Sequence, residues 1–254
     1  MRLIDFFDRI YIINLPHRTD RKEATIKELE NINIPLIPGR VEFFPGIRPD
    51  HKEPFHKLGS KGCFLSVIAM LKIAQSEKSR NVLILQDDIT FSPYFKDNEA
   101  ELLKKLNQTE WDIVQFGYMP EQHCQPQDSK FCSFQVFNES LIGAHFFAVN
   151  GKSIDQFLEF LETLIQRPLG DPLGGPMPID GAINVYNWQN PDITRLISVP
   201  VFGSQRSSYS DVTPKWFDKF VILRSLVEFL RKLGIARSLK RLLSSTSARN
   251  RSGE

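Results

Sequence analysis

Asn81-Val82-Leu83-Ile84-Leu85-Gln86-Asp87-Asp88 is the stretch on which the reading of this chain turns. The unbroken apolar run from Val82 to Leu85 predicts a fully buried central strand of a parallel or mixed sheet. Two carboxylates follow at its C-terminal end, where open α/β sheets hold their ligands. Adjacent carboxylates repel each other and lose hydration there unless they share a cation or a proton. A hard divalent metal holding a phosphorylated substrate answers both problems. The competing reading is a strand-end turn in which one Asp caps the next helix.

Outward from this strand, the pattern alternates. Ile10 to Leu15 reads as a first strand and Asp20 to Glu30 as a helix. Ile34 to Ile37 offers a second strand, and Val41 to Pro54 reads as a Pro-rich, irregular crossover. Phe64, Leu65, Ile68, Leu71 and Ile73 recur at helical spacing within a helix from about Gly62 to Glu77. After the acidic pair come a helix near Asn98–Leu106, a strand at Trp111–Phe116 and a loop at Tyr118–Lys130 that reads as mobile. A strand at Ala144–Val149 leads through Asn150-Gly151 into a helix at Ser153–Leu164. Gln166 to Pro178, with four prolines and three glycines, reads as a substrate lid. Strands and helices alternating in one body predict a single α/β domain with a mixed sheet.

Composition sets the class. A chain of 254 residues with 41% hydrophobic and 24% charged residues is that of an ordinary globular protein. Three cysteines, Cys63, Cys124 and Cys132, are too few and too scattered for a disulfide framework or a zinc site. Free thiols, an N-terminus without a signal-peptide pattern, and no stretch of membrane-spanning length predict a cytoplasmic protein. From Val221 to Glu254, eight Arg and Lys face two Glu, which leaves the rest of the chain slightly acidic. That balance speaks against nucleic-acid binding. Phe220–Leu243 places Ile222, Leu226, Phe229, Leu230 and Leu233 on one helical face with basic residues around it. Such a helix can lie on an anionic membrane surface, making the protein peripheral on the inner face of the plasma membrane, or pack on the domain instead. The expected division is therefore 1–214 for the domain, 215–243 for a basic amphipathic helix and 244–254 for a disordered tail.

Six segments together resemble glycosyltransferase family 25, which holds lipooligosaccharide glycosyltransferases and collagen galactosyltransferases. They are Tyr11–Arg21, Gly59–Ser66, Leu83–Phe91, Gly143–Phe146, Pro178–Asp180 and Gln205–Asp211, in the family's order. The second block is one in which a Gly-Cys and a Ser precede a helix. Two departures stand out: Gln86 replaces the Glu of the usual Glu-Asp-Asp, and Pro16-His17 replaces an acidic residue after Asn14-Leu15. The resemblance implies a GT-A-like fold with a mixed, mostly parallel sheet, a nucleotide-sugar donor such as UDP-galactose, and inversion at the anomeric carbon. Mn²⁺ or Mg²⁺ would serve the departing diphosphate.

Within that frame, Asp88 with help from Asp87 is the expected site for metal and diphosphate. Inversion needs a base on the acceptor hydroxyl. Asp180, which follows the lid and opens a short helix at Gly181–Trp188, is the expected base, and Asp211 is the weaker alternative; Asp180 as a helix N-cap is the competing reading. Arg18 and Arg21 sit past the first strand, where they can meet the donor's diphosphate or pair with Asp20 or Glu23. His145 suits a sugar contact or a buried wall, and Gln205 suits a hydroxyl contact or a solvated loop. The expected acceptor is a hydroxyl of a cell-envelope glycan, free or lipid-linked. Gln86 motivates a rival reading, a catalytically silent glycan-binding or adhesion module. The lack of a Gly-rich phosphate loop disfavours a nucleotidyltransferase, kinase or dehydrogenase.

Overall fold

The computed structural model describes residues 1–119 and 133–206. Asp211 and the segments 215–243 and 244–254 lie outside the described residues, as does most of the loop expected at Tyr118–Lys130. Met1–Arg206 forms one compact unit.

The chain opens with α1 (Leu3–Phe6), β1 (Arg9–Asn14), α2 (Thr19–Asn31) and β2 (Val41–Pro45). It continues with α3 (Leu58–Ser76), β3 (Asn81–Gln86), β4 (Ile89–Phe91) and α4 (Pro93–Asn107). Then come β5 (Ile113–Gly117), β6 (Ser133–Val136), β7 (Phe146–Asn150), α5 (Gly151–Gln166), α6 (Ile179–Gln189), β8 (Arg195–Val199) and β9 (Gly203–Gln205). Seven strands form one sheet in the order β2-β1-β3-β7-β5-β8-β6, and β4 pairs with β9 in a separate ribbon. β7 and β6 run against the other five, so the sheet is mixed and mostly parallel, as expected.

The central strands are apolar on both faces because both faces are covered. In β3, Leu83 and Leu85 point into a core shared with α1, α2 and α4, while Val82 and Ile84 point into one shared with α3, α5 and α6. β1 divides in the same way, Ile10 and Ile12 against Tyr11, and so does β7, Phe146 and Ala148 against Phe147 and Val149. Each of the Leu, Ile, Val and Phe side chains among them contributes about 1.5–3 kcal/mol by leaving water. Helix starts follow local chemistry: the Ser92 hydroxyl accepts from Phe95 N ahead of Pro93, and Asn150 accepts from Lys152 N.

Several expectations need correction. The second strand is Val41–Pro45, inside the supposed crossover, whereas Ile34–Ile37 supplies only an isolated bridge from Ile37 to Val41. Alternation is weak there because β2 is an edge strand with one buried residue. α3 begins at Leu58, so Gly62, Cys63 and Ser66 lie inside the helix rather than before it. Gly62 presses on the preceding loop: a Cβ there would sit 2.3 Å from the Ile47 carbonyl oxygen. α3 is also long and apolar enough to cross a membrane, contrary to the expectation from sequence. Its apolarity instead serves the core, where Phe64, Val67, Met70 and Leu71 are fully buried.

Candidate functional site

The C-terminal ends of β1 and β3 lie side by side, since Ile13 pairs with Gln86 in parallel register. Asn14 therefore emerges beside Asp87. Its buried amide donates to Asp87 Oδ2 at 2.8 Å and to the Arg18 carbonyl at 3.1 Å. Arg21, in the first turn of α2, reaches Asp87 Oδ1 at 2.8 Å and Asp88 Oδ2 at 3.5 Å. Both oxygens of Asp87 are thus engaged. Asp88 differs: its Oδ1 is buried with no hydrogen-bond partner among the described residues. Burial, and then the neighbouring Asp87 charge, push the Asp88 carboxyl above its ordinary range, against the pull of Arg21, Arg206 and a hydrogen bond from Gln205.

The turn that presents these two carboxylates is held from behind by Arg206. Its guanidinium donates to the Asp87 carbonyl at 2.7 Å, to Thr25 Oγ1 at 2.9 Å and to the Ile89 carbonyl. Its backbone N–H donates to the Asp88 carbonyl at 2.6 Å. Thr25, one helical turn after Arg21, donates to the Asp87 carbonyl at 2.6 Å. The β4–β9 ribbon carries Arg206 into place, because β4 leaves the acidic turn and β9 ends at Gln205.

Gln86 links the surrounding parts. Its Oε1 accepts from Gln205 Nε2 at 3.0 Å, and its Nε2 approaches the Ala144 carbonyl at 3.5 Å and Cys63 Sγ at 3.7 Å. A carboxylate at this position would lose the two donor contacts. Cys63 lies within electrostatic reach of Asp180, Asp88 and Asp87. Burial first, and then these charges, push its thiol up to about 12, so it stays protonated and unreactive.

Asp180 lies on the same side. It occupies the first turn of α6, whose N-cap position is Pro178, so the carboxylate is not the helix N-cap of the competing reading. Its Oδ2 accepts from Gly143 N and its Oδ1 from Gly181 N, both at 2.9 Å. His145 is buried, with Nε2 donating to the Gly203 carbonyl at 3.0 Å and Nδ1 without a hydrogen-bond partner among the described residues. Burial holds its imidazole below the ordinary range, so the ring is a neutral wall that ties β7 to β9. Gly117 makes room for it, since a Cβ there would stand 2.6 Å from His145 Nε2.

The structure thus brings Arg21, Asp87, Asp88, Asp180, His145 and Gln205 to one end of the sheet. Arg18 pairs with Asp20 through two 2.9 Å bonds, and that guanidinium holds the Asp20 carboxyl at about 2. The expected lid is a loop closed on itself, with Arg167 donating to the Leu173 and Gly174 carbonyls. Asn14, Thr25 and Arg206 escaped the sequence reading as site residues. Asn14 and Arg206 stand in the quoted blocks, whereas Thr25 carries no signal apart from its place on α2.

A divalent metal can be tested against these groups. Among the described residues no three His, Cys, Asp or Glu side chains gather into a metal cage. A cation coordinated largely by substrate phosphates needs only one or two protein carboxylates. The free, buried Asp88 Oδ1 fits that demand, and Asp87, tied to Asn14 and Arg21, does not offer an oxygen without breaking a bond.

Fold and site together define a mixed α/β protein with an acidic turn at the C-terminal ends of its central parallel strands. Residues 50–163 match the model of glycosyltransferase family 25 (LPS biosynthesis protein), just under half of the chain. A glycosyltransferase 25 family member of Drosophila melanogaster is 32% identical over 131 residues, 43% of this chain and 21% of that protein. Procollagen galactosyltransferase 1-A of Xenopus laevis is 29% identical over 140 residues, 48% of this chain and 23% of its own length. The matches thus span about a quarter or less of these relatives. Among solved structures, a glycosyltransferase involved in glycosylation of the major capsid of PBCV-1 aligns over 80% of this chain and 95% of its own, with 12% identity and a TM-score of 0.49.

Proposed function

We propose that this protein is an inverting, metal-dependent glycosyltransferase that moves a hexose from a UDP-sugar to a hydroxyl of a cell-envelope glycan. The observation that carries this reading is Asp88 Oδ1, a buried carboxylate oxygen without a hydrogen-bond partner among the described residues, at the C-terminal end of the central strand. The family match supports transfer of a sugar, the name of the Xenopus relative supports galactose, and the family's description as an LPS biosynthesis protein supports an envelope glycan.

Asp88 would hold Mn²⁺ or Mg²⁺ together with the donor diphosphate. The cation, when bound, supplies charge neutralisation for the diphosphate as it leaves. Arg21 keeps the Asp87–Asp88 pair from repelling itself apart, and Arg206 fixes the turn. Asp180 takes the proton of the acceptor hydroxyl as its oxygen bonds to the anomeric carbon and the bond from that carbon to the phosphate oxygen breaks. UDP departs, and the anomeric configuration inverts in one displacement. Gln86 stands behind the carboxylates as a link to Gln205 and Ala144, so its replacement of Glu leaves Asp88 available.

Calorimetric titration of UDP and then of several UDP-sugars, with and without Mn²⁺, tests the reading on wild type and Asp88→Ala. Metal-dependent binding lost in Asp88→Ala is expected. Absence of binding under every condition would leave the silent glycan-binding module in its place.

A further inference from the structure

Behind Asp180 lies a buried chain of polar groups that the reaction itself does not use. Gly143 stands at its centre with both ends of its backbone engaged. Its N–H donates to Asp180 Oδ2 at 2.9 Å, and its carbonyl accepts from Gln115 Nε2 at 2.9 Å. Gln115 Oε1 in turn accepts from Arg195 Nε at 2.8 Å. Gln115 and Arg195 are both 0% exposed. Arg195 also donates to the Glu139 carbonyl at 3.2 Å and lies 5.6 Å from the Phe137 ring centroid, while its second terminal nitrogen has no hydrogen-bond partner among the described residues.

A guanidinium buried without a carboxylate is costly, and burial alone pulls this one down to about 10. Apolar side chains would fill the β5–β8 seam at less cost. What the arrangement achieves is directional: Arg195 fixes the orientation of the Gln115 amide, so that its NH₂ rather than its oxygen faces Gly143. The glycine has φ +101°, a conformation that side-chain-bearing residues rarely adopt, and this turns its N–H toward α6. From the other side, Asn184, one turn beyond Asp180, clamps Leu141 through both its N–H and its carbonyl at 3.0 Å. The strand-side pair and the helix thus grip the same segment.

We infer that Gln115 and Arg195 are positioning residues that set the Asp180 carboxylate through the Gly143 peptide. This rests on the reading of Asp180 as the base. The chain transmits geometry, not protons: no proton leaves Gln115 or Arg195, and only the direction of the Gly143 N–H is fixed.

Gln115→Glu separates positioning from folding. A carboxylate there still meets Arg195, and so preserves the buried polar contact, but it opposes the Gly143 carbonyl instead of donating to it. NMR of the full chain reads the Gly143 amide proton, which the charge-assisted bond to Asp180 holds downfield. The expected result is an upfield move in Gln115→Glu matching that in Asp180→Asn. With Mn²⁺, kcat for UDP-galactose turnover falls about 10- to 100-fold while KM stays within about twofold. Arg195→Lys, whose ammonium still reaches the Gln115 oxygen, retains most of the wild-type kcat and serves as the conservative rescue. A Gly143 amide and a kcat unchanged in Gln115→Glu would overturn the inference. If Gln115→Glu fails to fold, the same two readouts on Gln115→Met decide, since that side chain fills the seam without donating. Full turnover by Asp180→Asn would remove the base reading alone, and the Gly143 amide would still report whether Gln115 sets that carboxylate.

Discussion

The two ends of the central sheet both carry acids and bases, and they treat them differently. At the N-terminal ends of the strands, Arg80 meets Asp8 at 2.7 Å with the two side chains 75% and 30% exposed, and Lys152 meets Glu110 at 3.1 Å with 47% and 90%. These pairs close on themselves in water. At the C-terminal ends, Arg21, Asp87 and Asp88 are between 8% and 13% exposed, and one Asp88 oxygen has no hydrogen-bond partner among the described residues. Water screens the first set and leaves its members individually dispensable. The second set keeps an unmet need for positive charge, which a ligand can supply. An ion pair marks function here by what it leaves unsatisfied rather than by its presence.

The strongest attack on this contrast is Asp88→Ala. Loss of the Asp88 carboxylate is expected to abolish Mn²⁺-dependent UDP binding in calorimetry and to lower turnover by roughly 10³- to 10⁴-fold, the equivalent of about 4–5.5 kcal/mol. Retention of metal-dependent binding would shift the site to other residues. Asp180→Asn comes next. It should lower kcat by about 10²- to 10³-fold in steady-state assays while leaving UDP affinity near wild type, because it removes a base and not a donor contact.

Much of this contrast was legible in the sequence, for a physical reason. An apolar run ending in Asp87-Asp88 can be little other than a central strand delivering charge to a sheet end, and the structure puts β3 between β1 and β7. Asp180 was legible because a Pro/Gly-rich loop precedes it. The edge elements were not. β2, β6 and β9 are short and half exposed, so no alternation marks them, and β8 hides a fully buried Arg195 that reads as a surface residue. Arg206 and Gln115 were missed because their value lies in backbone carbonyls they meet 119 and 28 residues away in the chain, which leave no trace in local sequence.

Arg206→Ala sharpens the comparison on stability. The substitution strips donors from the Asp87 and Ile89 carbonyls at once, so a loss of about 2–3 kcal/mol is expected. For a unit of this size that is a fall of roughly 5–10 °C in Tm by calorimetry. A drop of a degree or less would mean that the acidic turn holds itself.

The two ends should also respond to pH with opposite sign. The folded Asp88 carboxyl lies above its ordinary range, so between the two values the native state binds more protons than the unfolded chain. In that window ligand-free stability falls as pH rises, and the burden is fully present once pH exceeds the folded value. Asp8, at the N-terminal end, lies below its ordinary range because Arg80 bonds to it. Its contribution is present above the ordinary carboxylate range and is lost as pH falls through the folded value. Asp88→Asn should therefore raise Tm by a few degrees at pH 7 and lose that advantage as the solution is acidified. An advantage that persists into acid would mean that Asp88 is not the burdened carboxylate.

The smallest effect is expected where the ion pair looks best on paper. Arg80 makes two side-chain contacts to Asp8, and the bond between them is what holds the Asp8 carboxyl low. Yet the guanidinium stands in water, where solvent and salt replace most of what it loses on substitution. Arg80→Ala should leave Tm within about 1 °C of wild type and leave UDP titrations unchanged. A loss as large as that of Arg206→Ala would erase the distinction between the two ends, because burial would then no longer decide which charged groups matter.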